Sequence, residues 1–323
     1  MKYFLILILI LPYAGLAQFP PPAGQTGTTA IYKDSTIIVS WASSCSVARG
    51  WQNIADTTLG RADVGDSSMA TGQAGTNGVV SLGDGGYATL TFPNPITNGS
   101  SWDFAVFENG FTDTFLELAF VEVSSDGILF YRFPSTSLTD TLVQVEAYGG
   151  LDAAKLNNLA GKYRMFYGTP FDLEELKDSV ELDINHITHV RIRDVVGSLD
   201  NNYATYDSHV KKINDPWPTP FNSSGFDLDA VGVINQIASV KENDNNTNLS
   251  FYPNPCRNTI TINYNDISSG AILSILNLSG MCIKQQKIVE QTILINISDI
   301  TPGIYLLRLA SEKQTIYKKL IKL

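Results

Sequence analysis

The sequence predicts an all-β protein: a jelly-roll-like antiparallel β-sandwich body followed by a small Ig-like β-sandwich. Three observations predict it. Short runs with period-two alternation follow one another along the chain, among them "STIIVSWA", "GYATLTF", "WDFAVFE", "LELAFVEVSS", "LFYRFP", "HVRIRDVV" and "FDLDAVGVI". Gly, Asn, Asp and Pro punctuate these runs, as expected of antiparallel strands joined by turns rather than of alternating strands and helices. After "IASVKENDNNTN", which has no apolar periodicity, the strand pattern restarts at "LSFYPNPCRNTITINYN".

The 323 residues are 44% hydrophobic and 17% charged, enough apolar material for a sizeable core. The net charge of −10 is unevenly spread. Residues 249–323 hold 8 Lys/Arg and 4 acids, whereas the rest of the chain holds 14 basic against 28 acidic residues. Such a body is a poor partner for nucleic acid, whose phosphates demand a basic face. It better suits a cation, a neutral sugar or simple solubility.

The opening "MKYFLILILILPYAGLAQ" reads as a secretory signal peptide over residues 1–17. Lys2 supplies the positive end, Phe4 to Leu11 the short apolar centre, and Ala17 the small residue before cleavage. That centre is too short for a comfortable membrane span, and no transmembrane segment is expected elsewhere. No Cys follows the cleavage point, which argues against a lipid anchor. The three cysteines, Cys45, Cys256 and Cys282, leave at least one free thiol; Cys256 and Cys282 either pair or stand apart.

The body, 18–236, opens on the Pro/Gly/Thr-rich "FPPPAGQTGTTA". Its clearest hairpin is "VEVSSDGILFYRF", turning at Ser125-Asp126-Gly127. Two short helices are expected, over Gly150–Ala160 and Pro170–Asp178, with Pro170 in a first turn ahead of acids that suit the helix dipole. Two long stretches carry no strand pattern, Ala48 to Thr76 and Gly197 to Gly225. Loops of that length are uncommon in compact domains and often functional. The second carries Tyr203, Tyr206, Trp217 and Phe221 among polar residues, a plausible ligand surface. Alternatively, the rings simply pin the loop to the sandwich. Residues 237–248 read as a linker.

Acidic residues gather near turns. Asp84 sits in "GDGGYA", Glu108 ends the run that Asp103 begins, and Asp194 ends "RIRD" ahead of Asp200, Asn201 and Asn202. Asp227 and Asp229 are two apart, hence on one strand face. Calcium takes six to eight oxygens from such groups, so Asp84, Glu108, Asp227 and Asp229 form the candidate set for a structural Ca2+. Without a contiguous calcium loop, each acid could equally cap a turn or face solvent. No complete catalytic signature is present. Glu108, Glu117 or Glu122 could supply a carboxylate pair for a glycosidase or lyase, but spacing alone shows no separation. His186 and His189 fall on opposite faces of a strand, which argues against a shared zinc. "GDGGYA" precedes a strand rather than a helix, so no helix terminus awaits a phosphate.

Four ordered motifs in residues 249–323, "YPNP", a Leu-Ser-Gly turn, "ISDITPGIYLLRL" and the terminal "YKKLIKL", resemble the type A C-terminal sorting domain of the Bacteroidetes type IX secretion system. The resemblance implies export across the outer membrane, partnership with the secretion machinery, and removal of the domain by a sortase-like peptidase. The protein would end on the outer-membrane surface or outside the cell. Cys256 and Cys282 are departures from the pattern. The body strings "WDFAVFENGF", "LAFVEVSSDGILFYRFP", "LAGKYRMFYGTPFDL" and "GFDLDAVGVI" resemble uncharacterised cell-surface proteins of Bacteroidetes, some encoded near outer-membrane uptake genes, including those for cobalamin. The expectation is a secreted surface protein binding a glycan or a small nutrient such as a corrinoid. The alternatives are a carbohydrate-active enzyme and a structural or adhesive surface protein.

Overall fold

The structure, a computed structural model, describes residues 19–237, 249–264, 271–278, 280–311 and 315–323. The expected leader 1–17 and residues 238–248 of the expected linker lie outside the described residues. The chain divides into two compact units, Met1–Ala238 and Ser239–Leu323.

Thirteen strands build the first unit: β1 (Ile31–Tyr32), β2 (Ser40–Trp41), β3 (Ser44–Ala48), β4 (Val80–Ser81), β5 (Tyr87–Ile96), β6 (Phe104–Glu108), β7 (Ala119–Ser124), β8 (Tyr131–Arg132), β9 (Thr136–Ser137), β10 (Leu156–Asn157), β11 (Tyr167–Phe171), β12 (Ile187–Asp194) and β13 (Asp227–Val233). One large sheet runs β1-β11-β6-β13-β2, with β4 also on β13; a second runs β3-β5-β12-β7-β8, and β9 and β10 form a separate two-stranded pair. All their pairings are antiparallel.

The two large sheets face each other across one apolar core. Phe104, Val106, Leu228, Val231 and Val233 come from the first sheet; Ala88, Leu90, Val121, Val123, Val190 and Ile192 come from the second. Successive side chains point to opposite faces, so each set alternates along its strand, except that the register shift between Leu228 and Ala230 sets Val231 three residues after Leu228. Phe104 stacks on Phe171 with centroids 5.4 Å apart and meets Phe133 edge-on at 5.9 Å. The outward residues of β6 and β13 are covered too. Ala105, Phe107 and Ala230 pack with Ile31, Ala74, Trp41 and Trp102. A third cluster, including Leu116, Leu118, Leu151, Leu156 and Ile213, lies under the long connections.

The expected helices differ. Pro170 lies in β11, and the helical residues shrink to single 3-10 turns at Ala153–Lys155 and Leu173–Leu176, capped by Asp152 and Asp172. Pairing of β11 with β6 takes up the residues that would have been a first turn. The β7–β8 hairpin forms with a longer connection than a tight turn. Asp126 Oδ1 accepts from the Ile128 and Leu129 amides at 2.8 and 3.0 Å, and Gly127 takes φ +79°.

The second unit has seven strands: β14 (Leu249–Tyr252), β15 (Thr259–Tyr264), β16 (Ile272–Leu276), β17 (Cys282–Lys287), β18 (Thr292–Asn296), β19 (Gly303–Ala310) and β20 (Thr315–Lys322). A three-stranded sheet, β14-β15-β18, and a four-stranded sheet, β17-β16-β19-β20, enclose Ile260, Ile262, Tyr264 and Ile295 against Leu273, Ile275, Leu307, Leu309 and Leu320. The "YPNP" turn and the last strand are tied together. Asn254 Nδ2 donates to Lys319 O at 2.9 Å, and Asn254 Oδ1 accepts from Ile321 N at 2.8 Å. Cys256 continues the contact through Ile321 O and Leu323 N. All three thiols are free, Cys256 buried and Cys282 exposed.

Candidate functional site

Antiparallel pairing sends one end of the sandwich a series of acids that are remote in sequence. β6 ends at Glu108 where β13 begins at Asp227, since Leu228 pairs with Glu108. β12 ends at Asp194 opposite Ala119, where β7 begins just after Glu117. Asp84 precedes β5, whose Tyr87 pairs with Arg193. Asp215 enters from the loop that leads to β13.

Each acid has its own surroundings. Asp194 is buried and accepts from Gly85 N at 2.9 Å and Phe226 N at 2.8 Å. The Gly-rich turn therefore wraps a carboxyl group of the protein itself. The approach is close enough that a Cβ on Gly225 (φ +68°) would lie 2.6 Å from Asp194 Oδ1 and 2.8 Å from the Gly83 backbone. Burial, and then the charge of Asp84, raise the Asp194 pKa to about 8. Asp84 accepts from Ile54 N at 2.8 Å and Trp217 Nε1 at 3.1 Å, and burial raises it to about 6. Asp227 accepts from Ser81 Oγ and Asn109 Nδ2; burial raises it to about 6 against the pull of those donors and of Arg49. Asp215 accepts from Leu118 N at 3.0 Å, and Glu108 from Gly110 N at 2.8 Å. Both are pushed well up by burial, and the second oxygen of each, Asp215 Oδ1 and Glu108 Oε1, is buried with no partner. Glu117 is half-buried by surface, yet protein crowds its carboxyl; burial first, then the charges of Glu108, Asp227, Asp215 and Asp194, raise its pKa strongly.

Beside these acids opens a cavity of about 190 Å3. Asn109, Glu117 and Asp227 form part of its wall, and Phe111, Phe115, Tyr148 and Phe221 form the rest with small residues. The four rings make a ladder. Phe111 and Phe115 stack at 6.5 Å, Phe115 and Tyr148 at 6.2 Å, and Tyr148 and Phe221 at 5.8 Å, with interplanar angles between 19° and 29°. Phe111 is 72% exposed, Tyr148 76% and Phe221 39%. Rings this open contribute little to a core, and that leaves their faces available to something else.

The four loop aromatics of the sequence reading are divided. Phe221 lines the cavity. Trp217 turns its indole N–H to Asp84, and Tyr203 packs against Trp217 at 6.3 Å, so this pair pins the loop. Tyr206 is exposed and bridges to Lys212. The expected calcium set divides as well. Glu108 and Asp227 are close enough for their charges to interact, and Asp84 neighbours Asp194. Asp229 is apart: it sits at a bulge in the β13–β6 register, accepts from Gly75 N at 2.9 Å and has Lys33 nearby. Among the described residues, no three His, Cys, Asp or Glu side chains converge as ligands of one metal ion. Glu122 is not in the cavity wall; it pairs with Arg132 at 2.7 Å, with Arg193 and Arg191 at 3.7 and 3.9 Å. Phe111, Phe115, Tyr148 and Asp215 were not singled out in the sequence. The spacing of Phe107, Phe111 and Phe115 in "FENGFTDTF" was a visible signal, but nothing local marks Tyr148 as the next rung.

Residues 250–323 match the secretion system C-terminal sorting domain family, and this unit is a type IX secretion sorting domain. The protein is accordingly a secreted one of the cell surface or exterior. Among the described residues no helix is long and apolar enough to cross a membrane. No curated protein matches the chain. Among solved structures, PorZ, a surface component of the type IX secretion system of Porphyromonas gingivalis, is 13% identical, with 44% of this chain and 23% of that one covered and a TM-score of 0.21. A Faecalibacterium prausnitzii β-glucuronidase is 11% identical over 90% of this chain and 47% of its own, with a TM-score of 0.21. The BSP domain of a biofilm-associated protein is 10% identical over 88% and 52%, again at 0.21. The chain thus spans from 23% to 52% of these proteins, and likenesses of this size carry no argument about its role.

Proposed function

We propose that the body is a binding module for a glycan or a small nutrient such as a corrinoid, delivered to the cell exterior by its sorting domain. One observation carries the reading: four stacked rings, three of them exposed, share the lining of one cavity with the carboxyl groups of Glu117 and Asp227. Aromatic faces give sugars and other ring ligands a flat apolar surface, while polar groups at the edge fix orientation. Screening the secreted protein against glycan and cofactor libraries by thermal shift tests it. A ligand that raises Tm for the native protein, but not for the Phe111→Ala/Tyr148→Ala double variant, is the expected result. No hit in either library overturns it.

A structural calcium ion is a second reading, favoured by the unpartnered oxygens Glu108 Oε1 and Asp215 Oδ1. Backbone carbonyls and water would have to complete its shell. Elemental analysis of the purified protein, with Tm before and after chelation, checks this. Calcium at one equivalent and a lower Tm on removal are expected; neither appearing discards it.

A further inference from the structure

Binding by the cavity leaves open what charge its ligand carries, and the lining speaks to that. Among the described residues its walls hold Glu117 and Asp227 but no lysine, arginine or histidine. Asp227 is already supplied with donors by Ser81 and Asn109. Glu117 is not: what acts on its carboxyl is burial and four neighbouring acids, with no hydrogen-bond donor among the described residues. Behind it, Glu108 Oε1 and Asp215 Oδ1 are buried without partners. One side of the cavity is thus a cluster of crowded carboxyl groups, on which burial and mutual repulsion hold protons and whose charged form an arriving cation favours. The other is a set of stacked rings, whose exposed faces present the negative side of their quadrupoles.

Both sides attract the same kind of species, a cation with hydrocarbon attached. A hard divalent ion answers only half of the lining, because it takes oxygens and a ring offers none. A protonated amine answers all of it: its N–H groups supply the donors that Glu117 lacks, and its carbon body lies on the rings. The size is also selective. At about 190 Å3 the cavity is smaller than the roughly 300–1,000 Å3 of pockets that enclose a drug-sized ligand. It takes one ring or a head group, with any longer chain passing over the exposed ladder.

We propose that the cavity recognises a protonated amine carried on a saturated ring, the class to which non-acetylated amino sugars belong. The ammonium group bonds Glu117 beside Asp227, and the ring lies against Tyr148 and Phe221. This rests on the binding role proposed above and narrows it.

The experiment uses the full secreted protein and calorimetry with three probes of equal length: β-1,4-linked glucosamine, N-acetylglucosamine and glucose oligomers. The amine oligomer binds at least about tenfold tighter than the other two, as a charge-assisted hydrogen bond implies. Glu117→Gln, nearly the same in shape, removes that preference. Equal affinity for all three probes on the native protein overturns the proposal, and this measurement does not depend on the variant folding. So does an amine preference that survives Glu117→Gln. Neutral probes that bind best and are lost in Phe111→Ala/Tyr148→Ala remove the charge inference while leaving the binding role. No binding by any probe removes the inference; the wider library screen then decides the binding role.

Discussion

Asp84 takes two donors, the Ile54 amide and the Trp217 indole, and still has its pKa lifted to about 6 by burial. Trp217 is thus a support for a carboxylate rather than a ring offered to a ligand. Replacing it by Phe keeps most of the packing and deletes the donor. Both donors reach Asp84 Oδ2, so the Ile54 amide remains and one hydrogen bond is lost; Trp217→Phe should lower the body's stability to chemical denaturation by about 0.5–1.5 kcal/mol without touching the ring ladder. The core responds differently. Phe104 is buried between Phe133 and Phe171, and Phe104→Ala should cost about 3–5 kcal/mol through lost transfer energy and the cavity left behind. Urea melts of both variants separate a missing hydrogen bond from a missing ring.

Among the elements, β20 shows how a family motif works physically. Asn254 uses both ends of its amide on the backbone of the last strand, at Lys319 and Ile321, so the "YPNP" turn and "YKKLIKL" are two halves of one contact. Asn254→Ala should destabilise the sorting unit by about 1–3 kcal/mol, read as a lower melting transition for that unit. Cutting the chain before Leu249 should keep the body inside the cell, folded, which cell fractionation and circular dichroism would check. How much of this was legible follows from range. Alternation marked β5, β6, β7, β12 and β13, because period two is a local property. The first run, "STIIVSWA", gave only the two residues of β2, since Ile37 and Val39 are exposed. The candidate site was legible in its acids and in Phe221. Its ladder was not, because the Phe115–Tyr148 and Tyr148–Phe221 contacts join segments far apart in the chain.

For the whole molecule, burying like charges sets a pH dependence. Asp84, Asp227 and Asp229 are raised to about 6 and Asp194 to about 8, against about 3.9 in an unfolded chain. Between those values the folded state holds more protons than the unfolded one, so stability falls as pH rises. The contribution is fully present below about pH 4, is lost through about pH 6 for three of the acids, and through about pH 8 for Asp194. Asp66, Asp126 and Glu174 are lowered and act in the opposite sense, but all three are exposed. Thermal melts of the body should therefore give a higher Tm near pH 5 than near pH 8. A Tm that rises over this interval contradicts the assignment.

The three free thiols differ in a way that can be put to use. Cys45 is half-buried, with its thiol pushed up to about 11 by desolvation, and Cys256 is buried, whereas Cys282 is exposed on the sorting unit. A maleimide dye applied to the native protein should therefore colour the export domain and spare the cargo. Any cut between the two units would then show on a gel as a body without fluorescence, so the thiol serves as a built-in marker of the sorting unit.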